Sequence, residues 1–244
     1  MAGEVRVEEG PFGPEVRPES RVPRWRVLYL HGDPRLAGTP QDTLPSAREL
    51  ARLTGFAVVC ARYRPRFPQA LEDVHAAWEY CHAGGPAAVA GKRLGGALAA
   101  GLLLRLRDAG APLPACAVLS SAVLDFTLDA ASLLFNAAAD RTLDAEALPV
   151  RAASYAGATP RDNPLLSPLH GNLHGLPPLQ LHSAGTEVLL DDTLSFATRA
   201  AHSGVGIDLR IYEDSAAQGL RQLEATAAFL RMWCPEELVT PRHE

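Results

Sequence analysis

The stretch A-A-V-A-G-K-R-L-G-G-A-L-A-A at residues 87–100 limits what this chain can fold into more than any other. Ala87 to Ala90 form a short apolar run that stops at Gly91-Lys92-Arg93-Leu94-Gly95-Gly96, and an Ala- and Leu-rich segment of helical composition continues to about Ala109. The order is strand, tight turn, helix, with glycines where the backbone must bend sharply or admit another element. The centre of the turn is Arg93.

The rest of the chain repeats that alternation. Trp25 to Leu30 reads as a strand that runs into His31-Gly32-Asp33-Pro34, and a helix over Thr43 to Thr54 ends at Gly55 before a strand over Phe56 to Ala61. Between Gln69 and His82, residues Ala70, Val74, Ala77, Trp78 and Cys81 recur at helical spacing. Strands are expected over Ala115 to Ser120, Leu179 to Ser183 and Ile207 to Tyr212, with helices near Asp191 to Ser203 and Gln222 to Trp233. Between the first two of these strands the pattern weakens, leaving helical stretches near Ala130 to Asn136 and Asp144 to Tyr155. Such alternation implies a mostly parallel sheet covered by helices on both faces, with a site beyond the carboxyl ends of the strands.

The prolines at 11, 14, 18 and 23, set among charges, mark residues 1–24 as an N-terminal arm, either extended or a partly ordered tail. One domain is expected over residues 25–234, with 121–175 as an excursion over the site and 235–244 as a tail. At 244 residues and 47% hydrophobic, the chain is long enough to bury one substantial core.

A formal net charge of -5 gives no electrostatic case for nucleic acid or an anionic membrane. No apolar run approaches the roughly 18 residues of a membrane span, and the N-terminus lacks the cationic and apolar regions of a signal peptide, so a cytoplasmic protein is expected. The four cysteines lack C-x-x-C spacing and the eight histidines lack H-x-x-x-H spacing. Neither a metal nor a cofactor is therefore expected.

Several ordered segments resemble the α/β-hydrolase fold-3 family, the esterases and lipases related to hormone-sensitive lipase. They are Tyr29-Leu30-His31-Gly32, the turn at 91–96, Tyr63-Arg64 with Phe67-Pro68-Gln69-Ala70-Leu71-Glu72-Asp73-Val74, Asn163-Pro164-Leu165-Leu166-Ser167-Pro168-Leu169, Gly175-Leu176-Pro177-Pro178 and Glu187-Val188-Leu189-Leu190-Asp191-Asp192. The resemblance implies an α/β-hydrolase fold with a reduced cap. It also implies that position 93 corresponds to the family's nucleophilic serine, Glu187 to its catalytic acid and Gln218 to its histidine, while Gly32-Asp33-Pro34 replaces the oxyanion-loop glycines.

Arginine is always protonated and is no nucleophile, glutamine is no base near neutral pH, and proline has no N–H to offer an oxyanion. These departures predict an esterase-like chain without a working Ser-His-acid triad, a pseudo-hydrolase that binds a small anionic ligand or a partner protein and leaves simple p-nitrophenyl esters intact. His31, Gly32, Asp33, Lys92, Arg93, Leu94 and Glu187 are the expected ligand-binding residues, with Asp33, Arg93 and Glu187 drawn together by charge. The expected partners are a small molecule or a protein, a second copy of the chain included, rather than nucleic acid or membrane. Two alternatives stay open: a biosynthetic enzyme of cyclase, dehydratase or decarboxylase type, and a weak carboxylic ester hydrolase with a displaced nucleophile.

Overall fold

The computed structural model describes residues 4–19, 22–33, 36 and 38–235. Eight strands, β1 (Val5–Gly10), β2 (Gly13–Pro18), β3 (Arg26–Leu30), β4 (Ala57–Ala61), β5 (Ala87–Lys92), β6 (Ala117–Ser120), β7 (Leu179–Ala184) and β8 (Ile207–Tyr212), form one sheet in the order β1-β2-β4-β3-β5-β6-β7-β8. From β4 to β8 every pairing is parallel; β2 joins β4 and β1 joins β2 antiparallel. The helices are α1 (Leu44–Thr54), α2 (Gln69–Ala83), α3 (Leu94–Asp108), α4 (Ser132–Phe135), α5 (Leu148–Ala156), α6 (Leu190–His202) and α7 (Ser215–Trp233).

Strand periodicity divides the core in two. In β3, Leu28 and Leu30 join the cluster that contains Trp78 of α2, Leu102 of α3 and Phe196 of α6. Val27 and Tyr29 point the other way, to the cluster with Leu50 of α1 and Leu230 of α7. Both faces of the central strands are thus buried, which is why they read as unbroken apolar runs rather than alternating ones. Among the described residues no helix is long and apolar enough to cross a membrane.

The structure corrects the sequence reading at two places. Residues 5–18 are a β-hairpin laid against the sheet, not an extended arm: Val16 is fully buried, and Glu15 and Val16 pair with Val59 and Val58. The prolines do not prevent this, because Pro14 and Pro18 lie outside that two-residue contact with β4, where no ladder N–H is needed. The second correction is α7, which begins at Ser215 rather than near Gln222. Asp214 caps it by accepting from the Ala217 N–H at 2.8 Å, so the segment after Tyr212 is helix and not a free loop. At its far end, Pro235 accepts a 2.8 Å hydrogen bond from the Trp25 indole at the entrance to β3. Residues 236–244, the greater part of the expected tail, lie outside the described residues.

Candidate functional site

The turn from β5 into α3 is as tight as its glycines suggest. A Cβ on Gly95 would sit 2.2 Å from the Leu30 carbonyl oxygen, and one on Gly32 would sit 2.1 Å from that of Lys92, so any side chain at either position would force strands and helix apart. Between them Arg93 adopts φ 54°, ψ -117°, a conformation that costs a non-glycine residue on the order of 1–3 kcal/mol. Its N–H is tied to the Ser120 carbonyl at 3.0 Å, and its own carbonyl accepts from Gly96 and Ala97.

This geometry turns the Arg93 side chain inward, where the residue is only 2% exposed. Nη2 donates to Glu187 Oε1 at 3.1 Å and to Thr142 Oγ1 at 2.6 Å. Nε and Nη1 are buried with no hydrogen-bond partner. Leaving a buried donor unmet costs about 1–3 kcal/mol, a cost that an acceptor reaching the guanidinium would relieve.

Glu187 follows β7 and is also buried. Its Oε1 accepts from Arg93 and, at 2.9 Å, from Ser121; its Oε2 accepts from Ser183 Oγ at 3.0 Å and the Ala184 N–H at 3.1 Å. Four donors fill the roughly four acceptor positions of a carboxylate. Gln218, on the first turns of α7, reaches the same cluster by donating to Ser121 Oγ at 3.0 Å. Thr142 is held in turn by Asp140, which also accepts from the Val188 N–H at 3.0 Å. Burial works to raise the Asp140 pKa, but these bonds outweigh it and the net shift is downward.

Gly32, Lys92, Arg93, Glu187 and Gln218 line a pocket of about 260 Å³ beyond the strand ends. Thr142, Ser215, Gly219 and Gln222 complete its wall. Lys92 has its pKa lowered, chiefly by burial and then by the Arg93 charge, with Glu187 pulling the other way, although the residue also reaches water. The other expected binding residues do not line this pocket. Leu94 is fully buried in the core, and His31 is 3% exposed and stacked on Tyr63 at 4.1 Å between ring centroids. Asp33 is not among the groups bonded to the Arg93 guanidinium, so the expected three-member charge cluster reduces to the Arg93–Glu187 pair.

No histidine lines the pocket among the described residues. His170 pairs with Asp125 at 2.9 Å, and His182 is enclosed by Gln180 and Tyr212. Of the wall residues missed by the sequence reading, Gln222 carried a signal. It stands four residues from Gln218, on the same face of a helix whose start is marked by Asp214. Thr142 carried none, since its segment has no periodicity.

Sharp strand-to-helix turns of this kind, facing a pocket and an acid that follows a later strand, are the feature around which α/β hydrolases are built. A family model described as alpha/beta hydrolase fold matches residues 27–217, and the chain belongs to that family. An acetyl-hydrolase of Streptomyces hygroscopicus is 35% identical over 234 residues, covering 88% of this chain and 78% of that protein. Among solved structures, an esterase from the bacterial hormone-sensitive lipase family superposes with a TM-score of 0.88 at 30% identity, covering 96% of this chain and 86% of the other. EstE5, in a crystal soaked with p-nitrophenyl butyrate, gives 0.88 at 28% identity, covering 96% and 87%.

These relatives overturn the pseudo-hydrolase reading. A chain this similar, over most of its length, to proteins named acetyl-hydrolase and esterase belongs with hydrolases. The expectation of a pure binding protein rested on side-chain identities at three positions and gave too little weight to how many routes lead to a cleaved ester. With it falls the inference that simple esters are left intact.

Proposed function

We propose that the chain hydrolyses carboxylic esters with small acyl groups, and that it does so with water rather than a serine as the nucleophile. The observation that carries the route is the Arg93 guanidinium in the pocket wall, with two of its buried donors unpartnered, at the turn where the resemblance places a serine. The departures at Arg93, Gln218 and Asp33-Pro34 then alter the route and not the reaction.

The carbonyl oxygen of the ester accepts from Arg93, whose other edge is fixed by Glu187 and Thr142. Fixed donors stabilise a developing oxyanion without reorganising, worth about 10²–10³ in rate for one donor. Glu187, whose acceptor positions are filled by Arg93, Ser121, Ser183 and Ala184, acts as a positioning residue. Lys92 is the remaining titratable group on the wall besides Arg93, and its lowered pKa increases its neutral fraction. Water attacks the carbonyl carbon and gives its proton to the Lys92 amine while the π pair moves onto the oxygen held by Arg93. Collapse breaks the bond to the alcohol, which recovers the proton from Lys92, leaving acid and alcohol with no change in oxidation state.

Ser121 is the main rival as nucleophile. It has φ 45° and a bond to Glu187, yet it is 0% exposed and does not line the pocket. The test is release of p-nitrophenol from the acetate ester by the purified chain. Turnover is expected to survive Ser121→Ala and Ser215→Ala, to fall at least tenfold in Lys92→Met, and to be untouched by a fluorophosphonate. No turnover of any short ester refutes the function; a fluorophosphonate adduct on a serine that abolishes turnover refutes the water route.

A further inference from the structure

The pocket wall consists of two glycines and seven side chains that all carry charge or a hydrogen-bonding group. Ligand pockets are ordinarily lined mostly by apolar and aromatic side chains and run to about 300–1,000 Å³. This one, at about 260 Å³, is smaller, and among the described residues no side chain of its wall is wholly apolar.

From this wall we infer that the substrate is an acetyl-sized ester of a small, hydroxyl-rich alcohol, a polyol or a monosaccharide, and not of a lipid or an alkyl alcohol; the inference rests on the ester-hydrolase reading above. Arg93 takes the carbonyl. Ser215, Gln218 and Gln222, all on α7, are left to meet the hydroxyls of the leaving group. Gln218 and Gln222 are already oriented from behind by bonds to Ser121 and Ser120, so a free edge of each amide is fixed before any ligand arrives. With Lys92 neutral in the reactive state, Arg93 and Glu187 balance in the wall, which suits a neutral alcohol.

An added methylene gains about 0.8 kcal/mol only where it leaves water for apolar surroundings. Against this wall it would face hydrogen-bonding groups and leave them unmet. A site built to bond hydroxyls discriminates strongly against analogues that lack them.

The experiment compares acetate release from 6-O-acetylglucose, monoacetylglycerol and butyl acetate, and p-nitrophenol release from the acetate and octanoate esters, all with the full chain. Ligand-observed NMR of 6-O-acetylglucose and butyl acetate runs alongside. The expected result is kcat/KM at least tenfold higher for monoacetylglycerol than for butyl acetate, at least tenfold higher for the acetate than for the octanoate, and a narrowed gap between the two alcohols in Gln222→Leu. Equal or faster cleavage of butyl acetate or the octanoate overturns the inference while leaving the hydrolase reading intact. If no ester is cleaved, the hydrolase reading falls and the NMR arm decides: saturation transfer to 6-O-acetylglucose alone supports the polar pocket, and transfer to butyl acetate alone, to both or to neither refutes it.

Discussion

Arg93 and Glu187 are both out of water, and neither can be removed alone without stranding the other. Breaking a buried pair by deleting one member costs about 3–5 kcal/mol, while deleting both removes the uncompensated charge. Arg93→Ala is therefore expected to destabilise the fold more than Arg93→Ala combined with Glu187→Ala. Urea melts of wild type, both single variants and the double should show coupling of at least about 1 kcal/mol, and strict additivity would disprove it. Activity separates charge from shape at the same residue. Lysine at 93 keeps the positive charge but lacks the planar fork that bonds Glu187 on one edge and a carbonyl on the other. Arg93→Lys is expected to lower kcat/KM for p-nitrophenyl acetate about 100-fold. The pH dependence follows from Lys92, which must be neutral to take a proton. The rate should climb with pH through a pKa below the ordinary 10.5, and the climb should vanish in Lys92→Met.

A pH response is built into β7. His182 is fully enclosed there, with Nε2 at 2.9 Å from Gln180 and Nδ1 at 3.0 Å from the Tyr212 hydroxyl. Burial, helped by the Arg210 charge and opposed by Asp208, lowers its pKa from 6.5 to about 3. Folding thus favours the neutral ring. The stability this confers is fully present above pH 6.5 and is lost as pH falls toward 3, by roughly 4–5 kcal/mol in all. In His182→Gln, stability measured by urea melts should change less than in wild type between pH 6.5 and pH 4. The strands themselves were legible from sequence because central parallel strands are apolar on both faces and glycine marks their ends, as at Gly55 and Gly91. The start of α7 was not, since Asp214 and Ser215 look equally at home in a loop until the helix they cap is seen. That misreading hid that Ser215, Gln218, Gly219 and Gln222, four of the nine wall residues, come from one helix. The Arg93–Glu187 pair was legible, because the turn and the acid fall at the ends of recognisable strands. Thr142 was not, since a tertiary contact from an irregular segment leaves no periodic trace.

For the whole molecule, the N-terminal hairpin closes one edge of the sheet. Removing residues 1–19 would uncover the antiparallel edge of β4 and expose Val16's packing site, and an unpaired apolar strand edge templates association. The truncated chain is expected to melt roughly 5–10 °C lower, from a loss of about 2–3 kcal/mol, and to form concentration-dependent aggregates visible by light scattering.

Helix α7 spans 19 residues, or about 28 Å at 1.5 Å per residue. It carries Gln218 and Gln222 at one end, and next to its other end Pro235 holds the Trp25 indole. A helix of this length moves as a rod, so the small tie at its base sets where both amides point at its tip. Trp25→Phe deletes that tie on the face of the sheet that α7 itself covers. It should raise KM for a polyol acetate several-fold while leaving kcat nearly unchanged, the signature of a binding wall that has swung slightly on its hinge.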